Sequence, residues 1–375
     1  MESPAKSCAA AAAMPHGFKV APMNGENIKL CVEPLLAWYD EHKRDLPWRK
    51  TTAPYAVWVS EIMLQQTRVA AVLPYYERWM RELPDVSALA DADEERLMKL
   101  WQGLGYYSRA RNLQKAAQMI VSDFSGVFPS DYNTLLKLPG VGEYTAAAVA
   151  SIAFGEKVSA VDGNLLRVAA RIENIRDNIL DGKVKKTIRT LLEDAMPADR
   201  PGEFNQALMD LGATVCLPSG APLCGECPLS PFCAARKSNT AAELPVRTKK
   251  SARRIEDMTV YLLLRDGKVA LRKRPDVGLL AGLWEFPHTS GHLEDEAAGI
   301  PLTQWGLIPR DWKKKITAKH IFTHVEWHMI GYLLTVSGTD TDDLVWADRS
   351  ELESYAIPGA FQKYYAECID ALQCE

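Results

Sequence analysis

Four cysteines fall within eighteen residues: Cys216, Cys224, Cys227 and Cys233, spaced C-x7-C-x2-C-x5-C. Four thiolates hold either zinc or a [4Fe–4S] cube. Zinc sites usually show two close pairs, and here only Cys224 and Cys227 make one, which favours the cube. Leu135 to Ala146 reads LLKLPGVGEYTA: a helix stop at Pro139, a tight turn, then an Ala-rich helix. Gly140 and Gly142 allow positive φ and close backbone approach. The new helix offers free N–H groups and a positive dipole end, which suit a phosphate. An ordinary helix–helix turn would share part of this pattern, but L-P-G-V-G before a helix of small residues favours contact with DNA phosphate.

Two carboxylates stand out next. Asp162, in Val161-Asp162-Gly163-Asn164, is by position an N-cap. Glu61 lies among Trp58, Val59, Ile62 and Met63. A glutamate there is usually exposed or paired; held among apolar groups it would have a raised pKa and could act as an acid.

The elements that position these groups divide in two. Residues 28–215 read as helix after helix, with Leu35, Leu36 and Tyr39, then Ile62, Val69, Val72 and Leu73, at helical spacing. Asp91 and Asp93 are start signals for Glu94–Trp101, and 109–123 and 184–195 are amphipathic. Beyond residue 255 the pattern changes to strands. Met258–Leu264 and Val269–Lys273 flank the turn signal Asp266-Gly267, 316–336 alternates apolar and polar residues, and 359–372 reads as a last helix. A chain of 375 residues makes two or three domains. With 47% apolar and 25% charged residues it is neither disordered nor collagen-like, and no apolar run approaches the roughly 20 residues of a spanning helix. The net charge is 44 − 48 = −4, yet residues 236–254 carry seven Lys/Arg and one Glu, a local +6. Clustered thiols, with too few cysteines for a disulfide scaffold, imply a reducing compartment, hence the cytoplasm. Residues 1–24 read as a disordered tail.

The hairpin, Asp162 about twenty residues later and the cysteine loop together resemble the HhH-GPD superfamily. Over residues 30–235 the chain is similar to MutY-type adenine DNA glycosylases. Asp45-Leu46-Pro47-Trp48-Arg49, Trp58 to Thr67 (WVSEIMLQQT) and Gly103 to Leu113 (GLGYYSRARNL) carry that similarity. The first cysteine gap has seven residues where the endonuclease III and MutY loop usually has six. The resemblance implies an all-α helix-hairpin-helix glycosylase domain at 25–235, with a six-helix barrel at about 50–155 and an iron–sulfur part at 25–49 and 156–235. A basic linker at 236–254 and an α+β Nudix (MutT)-like domain at 255–375 would follow.

What the resemblance implies for the site is specific. Glu61 would protonate N7 of adenine, and Asp162 would stabilise the positive sugar, assisted by Tyr144 and Asn164. Bifunctional relatives carry Lys where this chain has Tyr144, and a phenol cannot form a Schiff base. Hydrolysis without strand cleavage is therefore expected. The target base must leave the helix. Arg44, Leu46, Trp48, Val69 and Gln206 match residues that line the adenine pocket; core packing competes for Leu46, Trp48 and Val69. Gln66, Thr67, Leu104 and Tyr106 match residues that wedge beside the opposite base, with core packing the competitor for Leu104, and Leu138, Gly140 and Gly142 would meet the backbone. Cys216, Cys224, Cys227 and Cys233 would hold a [4Fe–4S] cluster, the expected cofactor.

Residues 255–372 resemble the MutY C-terminal domain, with Gly282 to Pro287 (GLWEFP) as its mark. No R-E-x-x-E-E spacing occurs in 288–308, so nucleotide hydrolysis is not expected. Phe322-Thr323-His324 aligns with the loop, usually Phe-Ser-His, that relatives use to read 8-oxoguanine; alternation along a strand is the plain competitor. The expected substrate is double-stranded DNA with adenine opposite 8-oxoguanine or guanine, bound by a monomer. An endonuclease III-like enzyme for oxidised pyrimidines and a non-catalytic lesion-binding protein are the competing readings.

Overall fold

The computed structural model describes residues 24–218, 221–248, 253–339 and 343–373. The predicted tail lies, but for Asn24, outside the described residues, as do Lys249 and Lys250 of the predicted linker. The first part is helical: α1 Glu26–His42, α2 Pro54–Leu64, α3 Val69–Glu82, α4 Val86–Ala90, α5 Glu94–Trp101, α6 Ser108–Asp123, α7 Tyr132–Leu135, α8 Glu143–Phe154, α9 Gly163–Ile172, α10 Gly182–Ala195, α11 Pro201–Thr214 and α12 Ala234–Lys237. Asp93 caps α5, its carboxylate accepting from the Arg96 N–H at 3.1 Å, whereas Asp91 closes α4 instead of starting α5.

The centre is built on close approach. In α8 every residue from Thr145 to Ser151 is buried, and α8 packs on both α2 and α11. Small side chains make that possible. At Gly202 of α11, a Cβ would lie 2.7 Å from the Ser151 carbonyl oxygen, so only glycine fits.

The second part is a seven-stranded mixed sheet: β1 Arg254–Arg265, β2 Lys268–Lys273, β3 Trp284–Glu285, β4 His288–Ser290, β5 Leu307–Ile321, β6 Val325–Gly338 and β7 Val345–Ala347. Its main order is β3-β2-β1-β6-β5, with β1 parallel to β6 and β5 antiparallel to β6. The strand period of two sorts β1 onto two faces. Met258, Val260, Leu262 and Leu264 pack with Phe361 and Tyr364 at the last helix, Gln362–Ala371. Tyr261 and Leu263 pack with Ala298 and Leu302 of α13 (Asp295–Gln304). Asp266 and Gly267 make the predicted turn, both at positive φ. The stretch 316–336 is two strands, and Phe322 to His324 form the turn between them.

Part of the expected linker is packed. Leu244 is buried, Arg171 donates to its carbonyl at 2.9 Å, and the Ile179 N–H donates to the Val246 carbonyl at 3.1 Å. The two halves also touch. Leu283 is buried in the helical core, and Gln102 donates to the Ile357 carbonyl at 2.9 Å. Between them runs a cleft of about 600 Å³, lined by Tyr106, Arg111, His320, Phe322, Thr323 and His324 among others. Among the described residues no helix is long and apolar enough to cross a membrane.

Candidate active site

The second helix of the hairpin begins at Glu143, so Tyr144 sits in its first turn beside α2. Its hydroxyl donates to Glu61 Oε2 at 2.5 Å. Glu61 is only 6% exposed, in a helix whose residues 55–63 are all buried. Burial pushes its carboxyl above the usual glutamate range, and the Asp162 charge adds to the rise; the Tyr144 hydroxyl and the Arg49 charge oppose it.

Asp162 is the N-cap of α9. Its Oδ1 accepts from the Asn164 and Leu165 N–H groups at 2.8 Å each, and Oδ2 accepts from Asn164 Nδ2 at 2.8 Å. Burial raises its pKa too, while these donors favour the charged form and offset part of the rise. Capping and a site role therefore coexist. Two carboxylates in one buried neighbourhood repel, and the one with three N–H donors is better suited to carry the charge. Asn164 is itself fixed: its Oδ1 accepts from Arg167 Nη2 at 2.9 Å.

Beside this pair lies a polar network inside the protein. Gln206 Oε1 accepts from Tyr39 Oη at 2.5 Å and from Arg49 Nη1 at 2.6 Å. Arg49 and Arg44 both pair with Asp210, at 3.1 and 2.6 Å. Sequence reasoning gave Tyr39, Arg49 and Asp210 no role in the site. A signal existed: in α11 the polar Asn205, Gln206 and Asp210 interrupt a helix buried along one whole stretch, and Arg49 ends the Asp-Leu-Pro-Trp-Arg motif. Leu46 and Trp48 are buried core residues, Trp48 edge-on to Tyr76 at 5.1 Å; Val69 is half-buried.

The residues expected to face DNA divide by exposure. Gln66 and Tyr106 are exposed, both at positive φ; Thr67 is half-buried, and Leu104 and Leu138 are buried. Gly140 has φ +73° and faces Asn112, where a Cβ would lie 2.5 Å from the Asn112 Cβ. Gly142 departs from expectation. As N-cap of α8 it has φ −94°, so it does not use the left-handed region. Across the cleft Tyr106 is hydrogen-bonded to Thr323, joining two loops expected to meet the same base pair. Phe322 packs edge-on to Trp327 at 4.8 Å and His320 at 4.6 Å, and Thr323 and His324 are exposed.

Cys216, Cys224, Cys227 and Cys233 line one cavity with Arg171, and all four are free thiols. Burial, followed by the other three sulfurs, pushes Cys227 up to about 11. Arg171 donates to Cys216 Sγ at 3.2 Å. Among the described residues no three His, Cys, Asp or Glu side chains close on a single ion.

Comparison with known proteins accords with this geometry. Residues 59–194 match the model of the HhH-GPD superfamily base excision DNA repair proteins, and residues 259–367 match the NUDIX domain. The chain is 35% identical over 396 residues to the adenine DNA glycosylase of Homo sapiens, covering 88% of this chain and 72% of that one. It is 33% identical over 411 residues to that of Schizosaccharomyces pombe, covering 90% and 89%. Its helical part resembles a thermostable thymine-DNA glycosylase, with TM-score 0.51 and 30% identity over 57% of this chain and 98% of that one. On the shared motifs and the length they span, the chain belongs to the adenine DNA glycosylases, base-excision repair enzymes with a helix-hairpin-helix domain and a Nudix-like second domain.

Proposed function

We propose that the chain removes adenine paired with 8-oxoguanine, or with guanine, from duplex DNA by hydrolysis alone. The observation that carries this is the pairing of Glu61, buried and raised in pKa, with Asp162, held by three N–H donors. Glu61, protonated, gives its proton to N7 of the extruded adenine. The C1′–N9 bond then breaks, its electron pair staying with adenine, which leaves neutral. Asp162, ionised, faces the positive sugar and stabilises it. Water adds at C1′ and loses a proton, completing hydrolysis. Tyr144 holds Glu61 in place, and with no amine at this position no Schiff base forms. Arg44, Leu46, Trp48, Val69 and Gln206 would surround the base.

The opposite base would be read in the cleft. The lesion differs from guanine at O8 and N7–H, so a few hydrogen bonds discriminate. The turn Phe322 to His324 supports this reading: it sits across from Tyr106 and presents a hydroxyl and an imidazole. Single-turnover rates on duplexes with adenine opposite 8-oxoguanine, guanine or thymine test it. The reading expects that order of decreasing rate; equal rates with thymine would overturn it.

The four cysteines suit a [4Fe–4S] cluster. All four line one cavity, and they are the thiolates that would hold the cluster implied by the family resemblance. The cluster would hold loop 216–233 in shape. Arg171, buried and donating to Cys216, balances thiolate charge there.

A further inference from the structure

The strongest unassigned feature is Arg109, at the start of α6. Both terminal nitrogens of its guanidinium are spent on carbonyls of two separate segments, while Nε is buried without a partner among the described residues. Nη1 donates to the Ile62, Met63 and Gln65 carbonyls at 2.7, 3.1 and 2.8 Å. Nη2 donates to the Leu104 and Gly105 carbonyls at 2.9 and 3.0 Å. The plane also lies over Trp101, at 5.1 Å from its ring centre, and 5.7 Å from that of Tyr106. Ile62 and Met63 belong to the last turn of α2, where the Gln65 N–H closes on the Ile62 carbonyl at 3.3 Å and Arg109 supplies further donors. No other described side chain makes hydrogen bonds to both segments.

Each segment ends in a strained residue. Gln66 and Tyr106 sit at φ +58° and +48°, where non-glycine residues persist only if their surroundings fix them. Both are exposed, and Tyr106 lines the cleft. Gln65 further donates to Thr145, next to Tyr144, at 3.2 Å.

We propose that Arg109 is a positioning residue that sets the separation of the two base-displacing loops, 65–67 and 104–106, and ties both to the helix that carries Glu61. One planar fork then keeps the wedge at the opposite base in register with the acid at the extruded adenine. Lysine keeps the charge but cannot satisfy five carbonyls in two directions. The inference rests on the function proposed above.

The test compares single-turnover rates on adenine opposite 8-oxoguanine and adenine opposite a tetrahydrofuran abasic analogue, which leaves no opposite base to displace. Arg109→Lys is expected to lower the ratio of the two rates about tenfold or more, with a normal active fraction in the burst. Equal losses on both substrates, or a loss of active fraction alone, would show a merely structural arginine. If Arg109→Lys does not fold, Trp101→Phe removes the indole N–H bonded to the Gly105 carbonyl at 3.0 Å and keeps a ring under the guanidinium. It should lower the same ratio by a smaller factor; an unchanged ratio overturns the proposal. If the wild-type chain fails to cleave opposite 8-oxoguanine, the functional reading fails instead.

Discussion

The Tyr144 hydroxyl donates a hydrogen bond to Glu61 Oε2 at 2.5 Å, linking the first turn of α8 to the buried carboxyl. The bond stabilises the ionised carboxylate, so it works against burial, which raises the Glu61 pKa. Tyr144→Phe removes that opposition and raises the Glu61 pKa further. Activity needs the protonated form, so it falls as pH rises through that pKa. The alkaline limb of the single-turnover pH–rate profile should therefore move to higher pH in the variant. A limb shifted to lower pH, or unmoved, would contradict the pairing.

Asp162 separates two roles in one substitution. Asparagine caps helices as well as aspartate does, so Asp162→Asn should keep α9 and change the melting temperature little. Without the anion, adenine release should fall by about 1,000-fold or more. A variant with near-normal rate would reduce Asp162 to a cap.

Glu61→Gln should keep duplex binding and lose adenine release. Glutamine fills the same buried volume and accepts from Tyr144, but has no acidic proton to give. Fluorescence anisotropy with lesion duplex, beside the rate, checks both halves of the expectation. Normal turnover would remove Glu61 from the chemistry.

Gly140→Ala tests the hairpin turn. The new Cβ would meet the Asn112 Cβ at 2.5 Å with φ at +73°, so the cost should be about 1–3 kcal/mol. Gly142→Ala, at φ −94° with open space around it, should cost far less in the same thermal melts. Equal losses would mean the turn is not held as described.

The gross architecture was legible because periodicity is local. Helical spacing in the first half and alternation after residue 255 follow from which faces are buried. The motifs gave Glu61, Tyr144 and Asp162 as separate residues, but their meeting depends on α8 packing between α2 and α11, which no local pattern encodes. For the same reason the Tyr39–Gln206–Arg49–Asp210 network stayed hidden: its members lie up to 171 positions apart and are recognisable only once folded. Gly142 misled because a glycine supplies conformational freedom whether or not the turn uses it. Phe322 and His324 could alternate in a strand or sit in a turn, and only the pairing of β5 with β6 places them in the turn.

The most direct test of the whole account is a single-turnover assay on a duplex carrying one adenine opposite 8-oxoguanine, analysed with and without alkali. The account predicts strand scission only after alkali, from an abasic site left by hydrolysis. Scission without alkali would reveal lyase chemistry that Tyr144 does not permit, and no scission under either condition would contradict the assignment of Glu61 and Asp162 as an active pair.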